Sequence, residues 1–242
     1  AAMAADGVGS LKYQNDFSKH IAGAESNVAI GVKRLGFNSG WISKLGEDPL
    51  GDYVEFFVRG EGVDVSQVTR DKEHRTGLLV KEMHTTKEPK VFYYRDNSAA
   101  SHLSKNDINE DYIKNAKHLH LTGITPALSE SAQAAFFEAL RVARENNLRI
   151  SFDPNLRFKL WESTEKMKEV MLDIIPRVNI LLPGIEEGEV LLGVSDPEKI
   201  IKGFYEMMEP GSLIVLKTGS DGALYYNGNQ IEHAKPYCVD NI

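Results

Sequence analysis

The sequence predicts an α/β protein in which helices cover a mostly parallel sheet and a small β layer is appended. From about His118 onward, apolar strand-like runs alternate with helix-like segments, which is typical of a parallel sheet. The stretch from about 64 to 101 instead contains two extended runs joined by a turn, with no helix between them. We expect one domain over residues 1–242, because a chain of this length can bury one sizeable core.

The alternating half contains four predicted strands, at 118–121, 149–153, 178–182 and 213–217. Apolar residues recur at helical spacing in the segments between them, as Met167, Val170 and Ile174 do. Open parallel sheets bind their ligands beyond the carboxyl ends of the strands. Polar residues that follow these strands are therefore the first candidates for a site.

The appended β layer is predicted from residues 76–83 and 91–95, which a turn-rich segment at 85–89 joins into a hairpin. Residues 11–20 are expected to add a further strand.

The segment 21–51 begins with a turn of small residues, Ala22, Gly23 and Ala24, that lets a ligand approach the backbone. Asn27 follows at the mouth of a predicted helix, where its amide and free backbone N–H groups can hold a polar ligand. The spacing of Val28, Val32 and Leu35 predicts the buried face of that helix.

Asp48 and Pro49 predict the start of the next helix, as N-cap and first helical residue. Its predicted inner face consists of Leu50, Val54, Phe57 and Val58. An ordinary helix–strand–helix unit with glycine turns explains the spacing of the whole segment equally well.

The composition excludes several classes of protein. With 28 basic and 35 acidic residues, a net charge of −7 and no dense Lys/Arg run, the chain is not expected to bind nucleic acid. The single cysteine, Cys238, excludes an internal disulfide and a Cys-x-x-Cys site. No apolar run reaches membrane-spanning length and no signal-peptide pattern is found, so we expect no membrane partner and a cytoplasmic location.

Tyr93 and Arg95 lie two residues apart in a predicted strand and therefore share a face. A phenol beside a guanidinium suits a ligand with a hydroxyl and a carboxylate, because arginine can hold a carboxylate through two parallel hydrogen bonds. Taken alone, the pattern favours the alternative, a solvated strand face with a surface arginine.

Asp153, Asn155 and Arg157 belong to the run Asp-Pro-Asn-Leu-Arg at the carboxyl end of a predicted strand. Polar residues at this end of a parallel sheet often form a site. Because Asp, Pro and Asn also favour turns, an Asx-type turn into the next helix explains the run equally well.

Two further segments follow strands. Residues 184–187, Gly-Ile-Glu-Glu, begin a helix, where acidic residues also complement the helix dipole. Residues 217–223 join two strands as a glycine turn, which a plain loop would also explain. Neither a Walker A loop nor a Gly-x-Gly-x-x-Gly motif occurs in the sequence.

His118 and His120 share a strand face with no third ligand at hand, so packing in the sheet is expected rather than metal binding.

Residues 21–51 resemble the N-terminal signature of the ribokinase-like (PfkB) sugar kinases. That signature has a Gly-Gly/Ala-x-x-x-Asn-x-Ala turn and helix, then Gly-Glu/Asp-Asp-x-x-Gly, which Gly46-Glu47-Asp48-Pro49-Leu50-Gly51 matches. The resemblance implies a ribokinase-like three-layer fold with a mostly parallel central sheet and a β-sheet lid, formed here by about 11–20 and 64–101. It also implies a sugar kinase that uses ATP and Mg²⁺, and a homo-oligomer formed through the lid.

The resemblance gives roles to the loops that follow the strands. In the family, an Asp-x-Asn-x-Arg run lines the junction between sugar and phosphates, and a Lys-x-Gly-x-x-Gly segment lies along the nucleotide. An Asn-x-x-Glu motif acts on Mg²⁺ and phosphate through water; Glu187 matches its glutamate, whereas Gly184 replaces its asparagine. The ATP-binding residues implied are Asn155, Arg157, Gly184, Lys217, Thr218, Gly219, Ser220 and Gly222.

Within the family, residues 22–27, 91–101 and 122–129 resemble the branch that phosphorylates 2-keto-3-deoxygluconate. The substrate-binding residues implied are Gly23, Ala24, Asn27, Tyr93, Arg95, Ile124, Asp153 and Arg157. Arg95 would bind the carboxylate, and Leu79 departs from the branch, which often has tyrosine there. Two alternatives stay open: a kinase of a neutral sugar such as fructose or ribose, and a catalytically silent relative that binds sugar or nucleotide.

The resemblance also implies that the chain lacks both ends of the domain. In the family, a stretch matched by Val239–Ile242 leads directly into Gly-Ala-Gly-Asp, whose aspartate is the catalytic base. We therefore expect that aspartate to follow Ile242, and a chain that stops there to be inactive. The family opens with a strand that ends in a Gly-Glu/Asp turn, and residues 1–9 are expected to form no such strand.

Overall fold

The computed structural model describes residues 1–85 and 88–237. The chain, for which one domain was expected, divides by its internal contacts into two compact units, Ala1–Asn109 and Glu110–Ile242. Cys238, the single cysteine, lies outside the described residues. So does the stretch 239–242, after which the catalytic aspartate is expected.

The described part of the first unit contains two helices and two small sheets. Its strands are β1 (Ala2–Val8), β2 (Phe17–His20), β3 (Ser43–Gly46), β4 (Val68–Asp71), β5 (Leu78–Met83) and β6 (Lys90–Tyr94). Its helices are α1 (Ala24–Arg34) and α2 (Pro49–Gly60), and short 3₁₀ turns lie at Leu11–Tyr13, Ala99–His102 and Lys105–Asp107.

The larger sheet of this unit has the order β2-β1-β5-β6, with β1 and β5 parallel and the other pairs antiparallel. The predicted hairpin is confirmed as β5 and β6, and the further strand expected within 11–20 is confirmed as β2. β4, although it lies within the predicted lid segment, pairs instead with β3 in a separate parallel sheet.

The prediction that residues 1–9 form no strand is wrong. They form β1, which pairs with β2 on one side and with β5 on the other, and which buries Ala2 and Ala5. Alanine has a low preference for strands, so the pattern gave no signal. Pairing on both edges nevertheless holds the segment extended.

The buried face predicted for α1 is also wrong. Ser26, Ala29 and Ile30 are buried, whereas Val28 and Leu35 are 37% and 77% exposed. Both sets follow helical spacing, and the buried set contributes Ala29 and Ile30 to the apolar cluster of this unit. The cluster consists of Ala29, Ile30, Leu45, Val54, Val58, Val63 and Val65.

Helix α2 begins and packs as predicted. Asp48 is its N-cap and accepts a hydrogen bond from the Gly51 N–H at 2.8 Å, and Pro49 is its first residue. Val54 and Val58 are buried in the apolar cluster, with Phe57 packed against it.

The described part of the second unit contains one sheet and five helices. Its strands are β7 (His118–Thr122), β8 (Arg149–Asp153), β9 (Ile180–Leu181), β10 (Leu213–Lys217), β11 (Ala223–Tyr226) and β12 (Ile231–Ala234). Its helices are α3 (Glu110–Lys114), α4 (Glu130–Glu145), α5 (Thr164–Ile174), α6 (Ile185–Leu192) and α7 (Pro197–Met207). Short 3₁₀ turns lie at Thr125–Ala127, Phe158–Leu160, Ile175–Arg177 and Gly219–Asp221.

The sheet has the order β12-β11-β10-β9-β8-β7. Strands β7 to β10 are parallel, and the antiparallel hairpin β11–β12 extends the sheet beyond β10. The mostly parallel sheet is confirmed, and β8 and β10 have the predicted bounds. The strand predicted at 178–182 is shorter, because only Ile180 and Leu181 pair in the ladder.

Helices α4, α5 and α7 supply much of the core of this unit. Phe136 of α4 meets Phe152 of β8 edge to face, with 6.0 Å between ring centres. Met167, Met171 and Ile174 of α5 are fully buried, as are Ile200, Ile201 and Phe204 of α7.

His118 and His120 both contact the buried Ser151 on the neighbouring strand. Their ring nitrogens lie 2.7 and 2.8 Å from the Ser151 Oγ. Burial, together with the nearby Arg149 charge, lowers the pKa of His118. Both rings therefore take part in the hydrogen bonding of the sheet.

Among residues 1–85 and 88–237, no helix is long and apolar enough to cross a membrane. The cytoplasmic location and the oligomer expected through the lid stay predictions.

Asp48 does more than cap α2. Its Oδ1 accepts the Gly51 N–H, and its Oδ2 accepts the Thr76 N–H at 2.7 Å, just before β5. Burial alone would raise the pKa of Asp48, but the backbone N–H donors of Thr76 and Gly51 lower it overall. One carboxylate thus ties the start of α2 to the start of a lid strand.

We expect Asp48→Ala to lower the free energy of unfolding by about 2 kcal/mol, because it removes a cap and leaves the Thr76 N–H without its acceptor. The matched control is Asp196→Ala at the other Asp-Pro helix start, where the side chain accepts only the Lys199 N–H at 2.9 Å. Its expected cost is about 1 kcal/mol. Urea unfolding measures both, and equal losses would show that the Thr76 contact contributes nothing.

Candidate active site

Four loops follow the parallel strands of the second unit, after β7, β8, β9 and β10. Because these strands are parallel, their carboxyl ends lie at one edge of the sheet. The candidate residues predicted in this half of the chain lie at the last residues of these strands, in the loops that follow them or in the first turn of α6. The structure therefore brings them to the same edge.

The loops after β8 and β10 are linked by an ion pair. The Lys217 Nζ lies 2.8 Å from the Asp153 Oδ1, and the same oxygen accepts the Asn155 N–H at 3.1 Å. The Lys217 side chain is 47% exposed and that of Asp153 is 24% exposed. The carboxylate is thus the more covered partner, and the ammonium is the more accessible one.

Glu187 joins the loop after β8 to the start of α6. Its Oε1 accepts the Leu156 N–H at 2.9 Å, and its Oε2 accepts the Gly184 N–H at 2.7 Å. One side chain thereby satisfies a backbone donor in each of two loops, and the contact to Gly184 is one that a glutamate in the third position of a helix commonly makes. Glu187 therefore fixes the shape of this edge.

Gly184, which replaces an asparagine of the family motif, is the N-cap of α6. Its backbone is extended, with φ −92° and ψ 168°, which any residue adopts. A Cβ built there would have only Glu187 carboxylate atoms within 4 Å, the nearest at 3.6 Å. The glycine is therefore not required by the local packing.

The segment after β10 is a tight turn that needs its glycines. Gly219 and Gly222 have φ values of +67° and +95°, in the left-handed region. The Thr218 N–H donates to the Gly222 carbonyl at 3.0 Å, and the Gly222 N–H donates to the Gly219 carbonyl at 3.1 Å. The buried Thr218 Oγ1 has no hydrogen-bond partner among the described residues. Ser220 lies exposed at the tip of the turn.

The other candidates of this unit lie around the Asp153 loop. Asn155 has a φ of +41°, which asparagine tolerates better than most residues. Arg157 is exposed, and its Nη1 lies 3.3 Å from the Leu156 carbonyl oxygen. The Gly123 N–H donates to the Asp153 carbonyl at 2.9 Å, which places Ile124 directly after a contact with this loop.

In the first unit, the small-residue turn forms the N-terminus of α1. Gly23 is the N-cap, and its carbonyl accepts from the Asn27 N–H at 3.0 Å and from the Ser26 Oγ at 3.1 Å. A Cβ at Gly23 would lie 2.7 Å from that hydroxyl oxygen, so a side chain here would require the Ser26 hydroxyl to move. Ala24 opens the helix and the Asn27 side chain is exposed, but the Asn27 N–H, expected to be open to a ligand, is used by the helix.

Tyr93 and Arg95 lie side by side, as their spacing predicts. The Arg95 guanidinium carbon stands 4.3 Å from the centre of the Tyr93 ring. Tyr93 is 45% exposed and lies opposite Leu79 of β5 in the antiparallel register. A guanidinium stacked on a phenol is thus presented on the larger sheet of the first unit.

Sequence reasoning identified Asp153, Lys217 and Glu187 as separate candidates but missed how they connect. The ion pair requires the loops after β8 and β10 to approach across β9, and that order appears only in the assembled sheet. The two backbone contacts of Glu187 had one local signal, its position three residues after the N-cap.

The chain matches the model of the pfkB family carbohydrate kinases over residues 3–241. It is 42% identical over 235 residues to a 2-dehydro-3-deoxygluconokinase of Bacillus subtilis (strain 168), covering 97% of this chain and 72% of the relative. A 2-dehydro-3-deoxygluconokinase of Thermoproteus tenax is 34% identical, with 91% and 67% covered. A 5-dehydro-2-deoxygluconokinase of Clostridium tetani (strain Massachusetts / E88) is 32% identical, with 89% and 65% covered. The chain thus spans between 65% and 72% of the length of these relatives.

Solved structures agree on the ribokinase-like fold. A PfkB protein from Polaromonas sp. JS666 superposes with a TM-score of 0.92 at 38% identity, covering 98% of this chain and 80% of that chain. A ribokinase II from E. coli, in complex with ATP and Mg²⁺, has a TM-score of 0.89 at 25% identity, with 100% and 77% covered.

We expect Glu187→Gln to lower the free energy of unfolding by about 1–2 kcal/mol, because an amide has one acceptor oxygen and two backbone donors need it. Glu186→Gln is the matched control, since Glu186 is exposed in the same helical turn and makes the same dipole contribution. Urea unfolding of both variants measures the difference. Losses of the same size would mean that Glu187 contributes only its charge.

Proposed function

The chain belongs to the pfkB family of carbohydrate kinases, and we propose that it transfers the γ-phosphoryl group of ATP to the terminal hydroxyl of 2-keto-3-deoxygluconate. That sugar acid is the one meant by 2-dehydro-3-deoxygluconate. The observation that carries the proposal is the Arg95 guanidinium stacked on Tyr93. It supplies a carboxylate-binding group beside a phenol, which a neutral sugar would not need.

Arg95 would bind the sugar carboxylate, and the Tyr93 hydroxyl would bind a sugar hydroxyl. Tyr93 is partly exposed and Arg95 is half-buried, so both can meet a ligand. The stack orders the guanidinium before the ligand arrives, which reduces the entropy lost on binding. Gly23, Ala24 and Asn27 are the further sugar-binding residues proposed in the first unit. In the second unit, Ile124 and Arg157 are proposed for the same role.

The nucleotide would bind along the loops of the second unit. Lys217, Arg157 and the turn from Thr218 to Gly222 offer an ammonium, a guanidinium and backbone N–H groups, which suit phosphate oxygens. These groups position the phosphates and stabilise the charge that develops during transfer.

Mg²⁺ fits this donor set as an ion held mainly by phosphates and water. In the described ranges, 1–85 and 88–237, no cluster of three or more His, Cys, Asp or Glu side chains could hold a metal ion. Mg²⁺ in kinases keeps several waters and uses few protein carboxylates. Glu187 would hold the hydrated ion through water, and the chemistry supplied on binding would be neutralisation of phosphate charge.

The relatives also include kinases named for 5-dehydro-2-deoxygluconate, which is a sugar acid as well. The same carboxylate anchor would serve that substrate. A panel of 2-keto-3-deoxygluconate, 5-keto-2-deoxygluconate, fructose and ribose, with ADP release from Mg-ATP by the full-length protein, separates the candidates. Turnover of only the first supports the proposal. Turnover of fructose or ribose would overturn the role of Arg95, and silence across the panel, with ATP still bound, would point to the non-catalytic alternative.

We expect Arg95→Ala to raise KM for the sugar acid by about 10- to 100-fold, because a charge-assisted bond to the carboxylate is lost. KM for ATP is expected to stay within about twofold, since the interaction concerns the sugar alone. Arg59→Ala, which removes an exposed arginine paired with Glu55 on α2, is the control and should change neither. Equal changes in KM for a sugar acid and a neutral sugar would contradict the assignment.

A further inference from the structure

We infer that Asp153 is a positioning residue that holds the Lys217 ammonium for the nucleotide phosphates, and that it is not a ligand of the sugar. The inference rests on the proposed function, because it assigns the nucleotide to the loops after β8 and β10. It replaces the role that the family resemblance gives to Asp153.

The hydrogen bonds of Asp153 are made with groups of its own unit. Its Oδ1 accepts from the Lys217 Nζ at 2.8 Å and from the Asn155 N–H at 3.1 Å. Its backbone carbonyl accepts the Gly123 N–H at 2.9 Å. Only 24% of the Asp153 side chain is exposed, about half the fraction for Lys217. Asp153 is thus hydrogen-bonded to its own loop, to the residue that follows β7 and to Lys217.

The ion pair crosses the end of β9, which lies between β8 and β10 in the sheet. Residues two strands apart are separated by about 10 Å, so the long stem of a lysine is needed to reach an aspartate. Gly184, which pairs with Lys217 in a parallel bridge, lies at that crossing and presents no side chain.

The chemistry of the pair explains why a carboxylate is tolerated here. A bare carboxylate beside triphosphate oxygens would repel them, whereas one paired with an ammonium does not. An ammonium has three donors and one is directed to Asp153, so the paired lysine still has donors for a phosphate. Asp153 restricts the flexible lysine side chain and thereby lowers the entropy lost on nucleotide binding.

The experiment measures the dissociation constant of Mg-ADP for the full-length protein by calorimetry, and KM for the sugar acid. Asp153→Asn and Lys217→Met are each expected to raise the Mg-ADP constant by about tenfold, and the double variant by no more than either alone. KM for the sugar acid should stay within about twofold in all three. Asp153→Glu should restore most of the affinity, because it keeps the charge that orders the lysine.

Asp173→Asn is the matched control, since it removes a carboxylate paired with Arg177 that precedes β9, at the opposite edge of the sheet. Asp173→Asn should leave both the Mg-ADP dissociation constant and KM for the sugar acid unchanged. The inference is overturned if Asp153→Asn spares Mg-ADP binding, if it raises KM for the sugar acid, or if the two single effects multiply in the double variant. Sugar turnover by the unsubstituted protein is scored separately. A protein that binds Mg-ADP but phosphorylates no sugar would contradict the proposed function. The Mg-ADP dissociation constants of the variants would still test the role of Asp153.

Discussion

The parallel pairing of β7 to β10 is the constraint on which the second unit depends. Its register sets Thr122 opposite Asp153, and it aligns Ile180 and Leu181 with β8 on one side and with β10 on the other. Every loop that follows these strands must then emerge at the same edge. Burial of large side chains specifies the register, because a slip of one residue would exchange Ile150 and Phe152 with the smaller Ser151 between the two faces of the sheet.

The carboxylates of Glu187 and Asp153 then hold the segments at this edge in place. Glu187 fixes the loop after β8 against the start of α6, and Asp153 fixes it against the lysine after β10. A carboxylate that accepts backbone N–H groups orders the chain around it. Asp48 has the same part in the first unit, where it holds the start of α2 and the residue before β5. In each unit an acidic side chain thus fixes a connection between two elements.

Much of this arrangement could be predicted from the sequence, and the failures have physical causes. Strands with β-branched or alternating apolar residues, such as β8 and β10, were located to the residue, and so was the capped start of α2. The alanine-rich β1 was not predicted, because pairing with β2 and β5 holds it extended and its own residues have a low strand preference. In α1, two faces had helical spacing, and the face with the small Ala29 was buried because it allows close packing. The Asp153–Lys217 pair could not be predicted, because it depends on which strand lies between β8 and β10.

Recognition of a sugar acid separates into two physical tasks. Under the proposed function, the guanidinium of Arg95 beside Tyr93 would perform the first task, because it can bind a carboxylate whatever the rest of the sugar carries. Discrimination between keto-deoxy acids must therefore come from side chains that face the remainder of the molecule. Leu79 lies directly opposite Tyr93 on the same face of the sheet, and it stands where the branch often has a tyrosine. An apolar side chain forms no hydrogen bond with a sugar hydroxyl, so within the proposed function Leu79 would leave its side of the sugar without a side-chain hydrogen-bond partner.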